Sequence, residues 1–456
     1  MAALTPFRQS ERRLLLLVAD LLAAIIAVAL ALWTWSITSG FDFNASFIEE
    51  RATWFVAVPI WVIALSYARH PHYALDSRAT RAAIARGAAA ILIAYLAVFF
   101  ASGSAVLPRL MAMYFIWNAA LLSFAARLIA GWIIARQGRS RRVLIVGEGS
   151  AIDSALEILK RPSFADIQIA GVVGAHAHAQ SIPLTTGSDL FGVAARLEAT
   201  DLVVAAAGDV DPAIAEGALL CQVQGMEVAA LSDLYEHAFR RVPVQHLGPT
   251  WVLTNLVGTA HLAEPPLAKR LLDLAAGVTV GAFTLVVLPF VAAAIVVDSG
   301  RPVFYRQVRL GRGGREFWIT KFRTMRQDAE RSGPQWSPVG DSRTTRVGRV
   351  LRRTRIDELP NIWSVIRGEM SMVGPRPERP AFVEMLDKAV PLYRARLATR
   401  PGLTGWAQVN HTYTDSVDDA VVKLEYDLYY VKHQSLAFDI GILARTVRTM
   451  FSLKGR

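Results

Sequence analysis

The sequence predicts a membrane protein of mixed fold. It divides into an N-terminal four-helix transmembrane bundle, a doubly wound α/β middle domain and a C-terminal α/β domain with a proline-kinked re-entrant membrane helix. Three observations predict it. Four apolar segments crowd the first third of the 456 residues. Short β-branched runs alternate with helical stretches in the middle. A fifth apolar segment, basic on both flanks, opens the last third. Composition agrees: 53% of residues are hydrophobic and 19% charged, against roughly 25% charged in an average soluble protein. Mean hydropathy is +0.33, which argues against a wholly soluble or disordered chain. The 49 Lys and Arg against 38 Asp and Glu give a net charge of +11. An anionic partner is expected: phosphate, nucleotide, lipid headgroup or nucleic acid. The single cysteine, Cys221, excludes an intramolecular disulfide and a cysteine-cluster metal site, and fits a reducing compartment.

Residues 1–136 read as the bundle. Residues 14–35 are almost unbroken apolar chain, long enough to cross roughly 30 Å of hydrocarbon. The run continues past the small residues Ala27, Ala29 and Ala31 into Trp33 and Trp35, and more apolar segments follow. A retained span is therefore expected rather than a cleaved signal peptide. The other spans fall at about 54–67, 84–100 and 111–134, the second short and holding Pro59. Arg8, Arg12 and Arg13 lie before the first span, Arg69, Arg78, Arg81 and Arg86 after the second, and Arg136, Arg139, Arg141 and Arg142 after the fourth. The two other loops hold only Arg51 and Arg109. Positive residues stay inside, so both ends of the bundle should be cytoplasmic. Asp20 lies within the first span, where a charge is costly. It either binds something, pairs with Arg127, or faces the bundle near its cytoplasmic end.

Residues 137–262 read as a Rossmann-like domain. Val143-Leu-Ile-Val-Gly-Glu-Gly-Ser-Ala-Ile152 is a β-branched run entering a Gly-x-Gly turn and then a helical pattern. Further short apolar runs lie at 167–173, 202–206 and 226–231. Strands alternating with helices imply a parallel, doubly wound sheet. Gly147 and Gly149 form a turn able to cradle a pyrophosphate at a helix N-terminus. The third glycine position holds Ile152, and no acid closes the second strand. A structural, dimerising or regulatory sheet therefore stands beside a nucleotide site as a reading of this domain.

The segment 271–297 is again apolar and long enough to cross. Lys269 and Arg270 precede it; Arg301, Arg306, Arg309, Arg312 and Arg315 follow it. Basic flanks favour neither crossing direction. A helix over 269–297 that returns to the same face satisfies both, and Pro289 supplies the kink. A fifth crossing would instead put the remainder outside. From 301 to 367 come fifteen arginines and one lysine, Lys321. Arginine's planar fork suits phosphate oxygens. The aromatic interleaving and recognition motifs of nucleic-acid binders are absent, so no nucleic-acid partner is expected. Asp357-Glu358 lies in this basic field. One carboxylate can attack phosphorus and the other hold Mg²⁺ against a substrate phosphate. The same pair also reads as helical acids bridged to Arg353 one turn earlier.

Four blocks carry a resemblance. Lys321-Phe-Arg-Thr-Met325, Ile356-Asp-Glu-Leu-Pro360, Met370-Ser-Met-Val-Gly-Pro-Arg-Pro377 and Arg400-Pro-Gly-Leu-Thr-Gly-Trp-Ala-Gln408 resemble, in order and spacing, the signature blocks of the bacterial sugar transferases. These are the monotopic phosphoglycosyl transferases, which include the undecaprenyl-phosphate glucose and galactose phosphotransferases. The match runs from about Lys269 to the C-terminus, making 263–456 the catalytic domain. The four spans and Rossmann-like domain before it resemble the large members that begin exopolysaccharide, capsule or O-antigen synthesis. The resemblance implies transfer of hexose-1-phosphate from a UDP-hexose to undecaprenyl phosphate, yielding UMP, with glucose or galactose ahead of an N-acetylated sugar. It implies Asp357 as the nucleophile that forms a phosphosugar–enzyme intermediate, and Glu358 as the Mg²⁺ ligand. Lys321, Arg323, Arg352 and Arg376 become phosphate or carboxylate partners. Lys269 and Arg270 would mark the membrane surface, and Pro289 would be the family's helix-breaking proline. The departures are Arg355, Asn361 and Leu288, where a small polar residue, glutamine and serine are usual.

Location in a bacterial inner membrane follows, with the catalytic and Rossmann-like domains on the cytoplasmic face and membrane lipid as a partner. Leu436, Ile440, Leu443, Val447 and Phe451 at helical spacing suit interfacial binding or packing on the core. Tyr426, Tyr429 and Tyr430 suit headgroup depth. A homodimer would give the bundle and middle domain a use. Two other functions remain: a non-catalytic membrane scaffold or sensor of lipid phosphates, and a membrane-anchored nucleotide-sugar-modifying enzyme run by the middle domain.

Overall fold

The structure is a computed structural model. It describes residues 9–66, 77–102, 109–136, 141–161, 164, 167–174, 181–182, 189–257, 267–327, 329, 341–411 and 416–451. Arg8, Tyr67, Arg69, Arg139 and Arg331 lie outside the described residues. The chain divides into two compact units, Met1–Ser140 and Arg141–Arg456.

The first unit holds α1 (Gln9–Ser39), α2 (Ala45–Glu49), α3 (Ala57–Ser66), α4 (Ser77–Ser102) and α5 (Arg109–Arg136). Ala24, Ala27, Val28 and Ala31 repeat at helical spacing on α1 and are fully buried. Small side chains let helices approach closely, and α1 packs along α5 while α3 packs on α4. Trp61 meets Phe115 edge to face, with centroids 5.9 Å apart, and donates to the Ser123 hydroxyl at 3.1 Å. Asp20 is completely buried and pairs with Arg127: Nη2 lies 3.2 Å from Oδ2. Asp20 thus faces the interior of the unit, as one reading had it, and is paired with Arg127 there, as another had it. Within this unit, α1 and α5 are long and apolar enough to cross a membrane; the apolar stretches Ala52–Leu65 and Ala83–Leu96 are shorter.

The second unit opens with β1 (Arg141–Gly147), α6 (Gly149–Leu159), β2 (Ile167–Val173), β3 (Ser181–Ile182), α7 (Leu190–Arg196), β4 (Asp201–Ala205), α8 (Pro212–Val223), β5 (Glu227–Ala230) and α9 (Leu231–Phe239). The strands form one sheet in the order β3-β2-β1-β4-β5, with every pair parallel. Successive β1 side chains explain its unbroken apolar run. Val143 and Ile145 pack beneath α6 and α9, whereas Leu144 and Val146 pack against α7 and α8 on the other face. A strand covered on both faces cannot alternate with polar residues. Gly147 has a local cause: a Cβ there would lie 1.8 Å from the Ala205 carbonyl oxygen across the sheet. Gly149 turns the chain into α6 with φ +52°.

After α9 the chain leaves the sheet through a 3₁₀ turn (Val244–His246) and α10 (Pro249–Val252). Val242 and Val244 are buried in the core of the C-terminal part. That part comprises α11 (Leu267–Ser299), the antiparallel hairpin β6 (Phe304–Leu310) and β7 (Glu316–Phe322), α12 (Arg346–Thr354), α13 (Ile362–Arg367), β8 (Ser371–Val373), α14 (Pro380–Ala389), β9 (Gly402–Thr404), α15 (Trp406–Asn410), α16 (Val417–His433) and α17 (Leu436–Phe451). β8 and β9 pair in parallel. α11 is a 33-residue helix with Pro289 inside it, and it is long and apolar enough to cross. Gly277 and Gly281 face Ile366 and Ile362, so α13 seats closely on α11.

The tyrosines of α16 correct one expectation. Tyr429 and Tyr430 are 7% and 1% exposed. Tyr429 stacks on Trp406 with centroids 6.2 Å apart, and Tyr426 packs against the same core. They are interior groups because α16 is enclosed by α15 and α17. On α17, Leu443 joins the core, while Leu436, Ile440 and Val447 stay 41%, 51% and 52% exposed.

Gly147→Ala should lower the melting temperature of the purified chain more than Gly149→Ala. The first places a methyl in backbone; the second meets open space and strains φ by about 1–2 kcal/mol. Equal melting temperatures would contradict the packing account of Gly147.

Candidate active site

The site is built where α12 ends. Arg355 takes a left-handed conformation, φ 61°, and caps the helix. A side chain there costs about 1–2 kcal/mol, and the turn drops the chain into the 3₁₀ segment Ile356–Asn361. Asn361 Oδ1 accepts from Thr320 N of β7 at 3.0 Å, fixing that segment on the hairpin. Asp357 and Glu358 are buried, 7% and 9% exposed.

Two buried carboxylates side by side must be compensated. Glu358 is: Oε1 accepts from Lys321 Nζ at 2.8 Å and from Arg376 Nη2 at 2.6 Å, and Oε2 from Arg376 Nη1 at 3.2 Å. Burial works to raise its pKa, but Arg376 and Lys321 outweigh it and hold Glu358 well below the ordinary range. Asp357 receives no such bond at Oδ1, which is buried without a hydrogen-bond partner among the described residues. Burial, then the Glu358 charge, push Asp357 up to about 6; Lys321, Arg352 and Arg376 oppose them. Burial likewise lowers Lys321, against the pull of Glu358. The result is one fixed carboxylate and one with an oxygen left without a hydrogen-bond partner among the described residues.

Lys321, Arg352 and Arg376 thus gather around the acidic pair. Arg352 is held by Thr324 Oγ1 at 3.0 Å and Thr344 Oγ1 at 3.3 Å. The loop carrying Arg376 is anchored by Gly374 N on Thr404 O at 2.9 Å and by Arg396 Nη2 on Arg376 O at 2.9 Å. Arg323 is not brought to the pair. Its guanidinium donates to Ser299 O at 2.8 Å, Ser299 Oγ at 2.9 Å and Gly300 O, capping the C-terminus of α11. Beside Glu358 lies a small cavity that opens to solvent, bordered by Arg309, Lys321, Arg376, Asn361 and Leu403. Arg309 and the half-buried Glu378 that holds it were not singled out from the sequence, where Arg309 is one of fifteen arginines.

Among the described residues, no group of three His, Cys, Asp or Glu comes together. Mg²⁺ needs only one or two protein carboxylates when substrate phosphates complete its shell. Glu358 Oε2 accepts a single bond and keeps a lone pair, and the bare Asp357 Oδ1 lies on the adjacent residue. The pair fits such a cation.

Lys269 and Arg270 are turned inward. Lys269 is 4% exposed and donates to Asp439 Oδ2 at 2.7 Å, Val373 O at 3.1 Å and Tyr430 OH at 3.1 Å. Arg270 donates to Val365 O at 2.8 Å and Ile366 O at 2.7 Å, at the end of α13. Asp273 Oδ1 accepts from Ser371 Oγ and Met372 N, each at 2.9 Å. The first turns of α11 therefore grip both chain segments that frame the site. Gly147 and Gly149 lie apart from it, at the sheet.

A family model described as bacterial sugar transferase matches residues 265–453. The UDP-N-acetylgalactosamine-undecaprenyl-phosphate N-acetylgalactosaminephosphotransferase of Aeromonas hydrophila is 41% identical over 228 residues, 47% of this chain and 54% of that protein. The UDP-glucose:undecaprenyl-phosphate glucose-1-phosphate transferase of Caulobacter vibrioides is 38% identical over 238 residues, 51% of this chain and 86% of that protein. The protein of the same name from Escherichia coli is 36% identical over 201 residues, 42% of this chain and 43% of that one. The chain thus spans about half the length of the first relative and most of the second.

Lys269→Met should destabilise the purified chain by about 3–5 kcal/mol, because it leaves Asp439 buried and unpaired. The double variant Lys269→Met with Asp439→Leu should recover much of that loss in thermal unfolding. A single variant as stable as wild type would show the pair to be without consequence.

Proposed function

This chain belongs to the bacterial sugar transferase family, and we propose that it transfers a sugar-1-phosphate from a UDP-sugar to undecaprenyl phosphate, with Asp357 as nucleophile. One observation carries this reading: a buried carboxylate oxygen without a hydrogen-bond partner, beside a carboxylate locked by Lys321 and Arg376.

Asp357 attacks the sugar-bearing phosphorus. A carboxylate O–P bond forms, and the bridging P–O bond breaks with its electron pair leaving on UMP. The lipid phosphate then attacks the same phosphorus and expels the Asp357 carboxylate. Lys321, Arg352 and Arg376 balance charge on the transferred phosphoryl group. Glu358 would hold Mg²⁺, which supplies further neutralisation of the diphosphate. The pushed-up pKa of Asp357 keeps it a basic nucleophile that is still ionised at neutral pH. Two steps through one residue also spare the soluble donor and the large lipid from meeting in one complex.

In the same reading α1, α3, α4 and α5 span the bacterial inner membrane, α11 is re-entrant around Pro289, and the Rossmann-like sheet and site face the cytoplasm, where UDP-sugars are made. The arginine asymmetry of the loops supports that orientation. The names of the relatives include both glucose and N-acetylgalactosamine donors, so the donor is proposed at the level of UDP-sugar. A nucleotide-sugar oxidoreductase run by the sheet is disfavoured, because Ile152 stands at the third glycine position.

Asp357→Asn should lower UMP release from UDP-glucose, UDP-galactose or UDP-N-acetylgalactosamine at least about a thousandfold, in protein that still folds and reaches the membrane. Turnover like wild type would refute the assignment. In the wild type, kcat/KM should rise with pH through about 6 and level off above, since only ionised Asp357 attacks. A flat profile from about pH 5 to about pH 8 would contradict the shifted pKa.

A further inference from the structure

We infer that Arg309 is a substrate-binding residue, which grips the nucleotide-side phosphate of the donor and the nucleoside monophosphate it becomes. The inference rests on the proposed reaction and deepens it.

Arg309 lies on β6 and borders the cavity beside Glu358. Its guanidinium is held at both terminal nitrogens. Nη2 donates to Gln307 Oε1 at 2.8 Å, and Nη1 to Pro377 O at 3.1 Å and Glu378 Oε2 at 3.4 Å. Glu378 is fixed in turn by Lys423, with Arg396 Nη1 3.8 Å away. Burial alone would raise the Glu378 pKa, yet Lys423, Arg396 and Arg309 bring it down to about 2, so its charge is permanent. The Arg309 side chain is only 15% exposed, and its Nε has no partner among the described residues. An arginine desolvated to this degree, anchored on three sides and unsatisfied on the fourth, is a prepared anion donor.

The cavity's charge points to the ligand. Arg309, Lys321 and Arg376 border it against the single carboxylate Glu358, a net excess of two positive charges. A nucleotide-sugar diphosphate carries two negative charges. Direction follows from the hairpin. Lys321, which binds Glu358, pairs with Tyr305 in the β6–β7 register, whereas Arg309 pairs with Phe317, nearer the hairpin turn. Arg309 thus borders the cavity from the turn end of the hairpin, and Lys321 from the end at the acidic pair. Attacking and leaving oxygens are roughly in line in phosphoryl transfer. With the sugar-bearing phosphate at Asp357, the departing phosphate lies towards Arg309.

The test is equilibrium binding of UMP and of uridine to the purified full-length chain. Arg309→Gln should weaken UMP binding tenfold or more and leave uridine binding unchanged, and Arg309→Lys should fall between wild type and Arg309→Gln. Unchanged UMP affinity in Arg309→Gln overturns the assignment. Loss of uridine binding with it also overturns the assignment, because that marks collapse of the cavity rather than loss of a phosphate contact. A wild-type chain that binds UMP through Arg309 yet releases none from any UDP-sugar would sink the proposed reaction alone.

Discussion

The ion pairs of Glu358 organise the catalytic half of this protein. Adjacent carboxylates cannot both be buried as uncompensated anions. Lys321 from the hairpin and Arg376 from the loop after β8 converge on Glu358, and only with that charge neutralised can Asp357 stay buried and bare. Three sequence blocks, far apart along the chain, are thereby tied at one point. The hairpin, the 3₁₀ segment and the β8–β9 pair read as the frame that holds these ions in register.

The supports are polar and mostly internal. Arg396 joins the Arg376 carbonyl to Asp427 on α16 at 2.7 Å. Lys269, Arg270 and Asp273 join the first turns of α11 to β8 and α13. A buried polar network gains from every partner it satisfies: Arg270 meets two carbonyls, Lys269 a carbonyl, a hydroxyl and Asp439, and Asp273 a hydroxyl and a backbone N–H. The apolar helix α11 is thus joined through its basic end to the segments that frame the candidate site. A shift of that helix would reach Val373 and Val365, which flank the loop of Arg376 and the segment of Asp357.

What was legible in the sequence came through the resemblance of its short blocks. Lys321, Asp357, Glu358 and Arg376 stand in three of the four blocks, and the structure brings them together. The parallel sheet was legible too, because β1 is apolar on both faces. Arg323 was not legible: two residues beyond Lys321, it meets the carbonyls ending α11 rather than the acidic pair. Lys269 and Arg270 read as lipid-facing because sequence shows a charge and not its partner; each found carbonyls or Asp439 inside the fold. Tyr429 and Tyr430 read as interfacial for the same reason, since amphipathic rings suit a headgroup layer and a helix-packed core equally. Arg309 was hidden in a field of like residues, and only its three anchors distinguish it.

If Asp357 is the nucleophile, it becomes covalently bound to the phosphosugar. The most direct measurement is peptide mass spectrometry on chain mixed with a UDP-sugar and Mg²⁺ and no lipid phosphate, quenched within one turnover. The account predicts one added hexose-phosphate mass on the peptide holding Asp357, with a matching amount of UMP, and its removal when undecaprenyl phosphate is added. UMP that appears only after the lipid is supplied, with no modified peptide at any time, would contradict it.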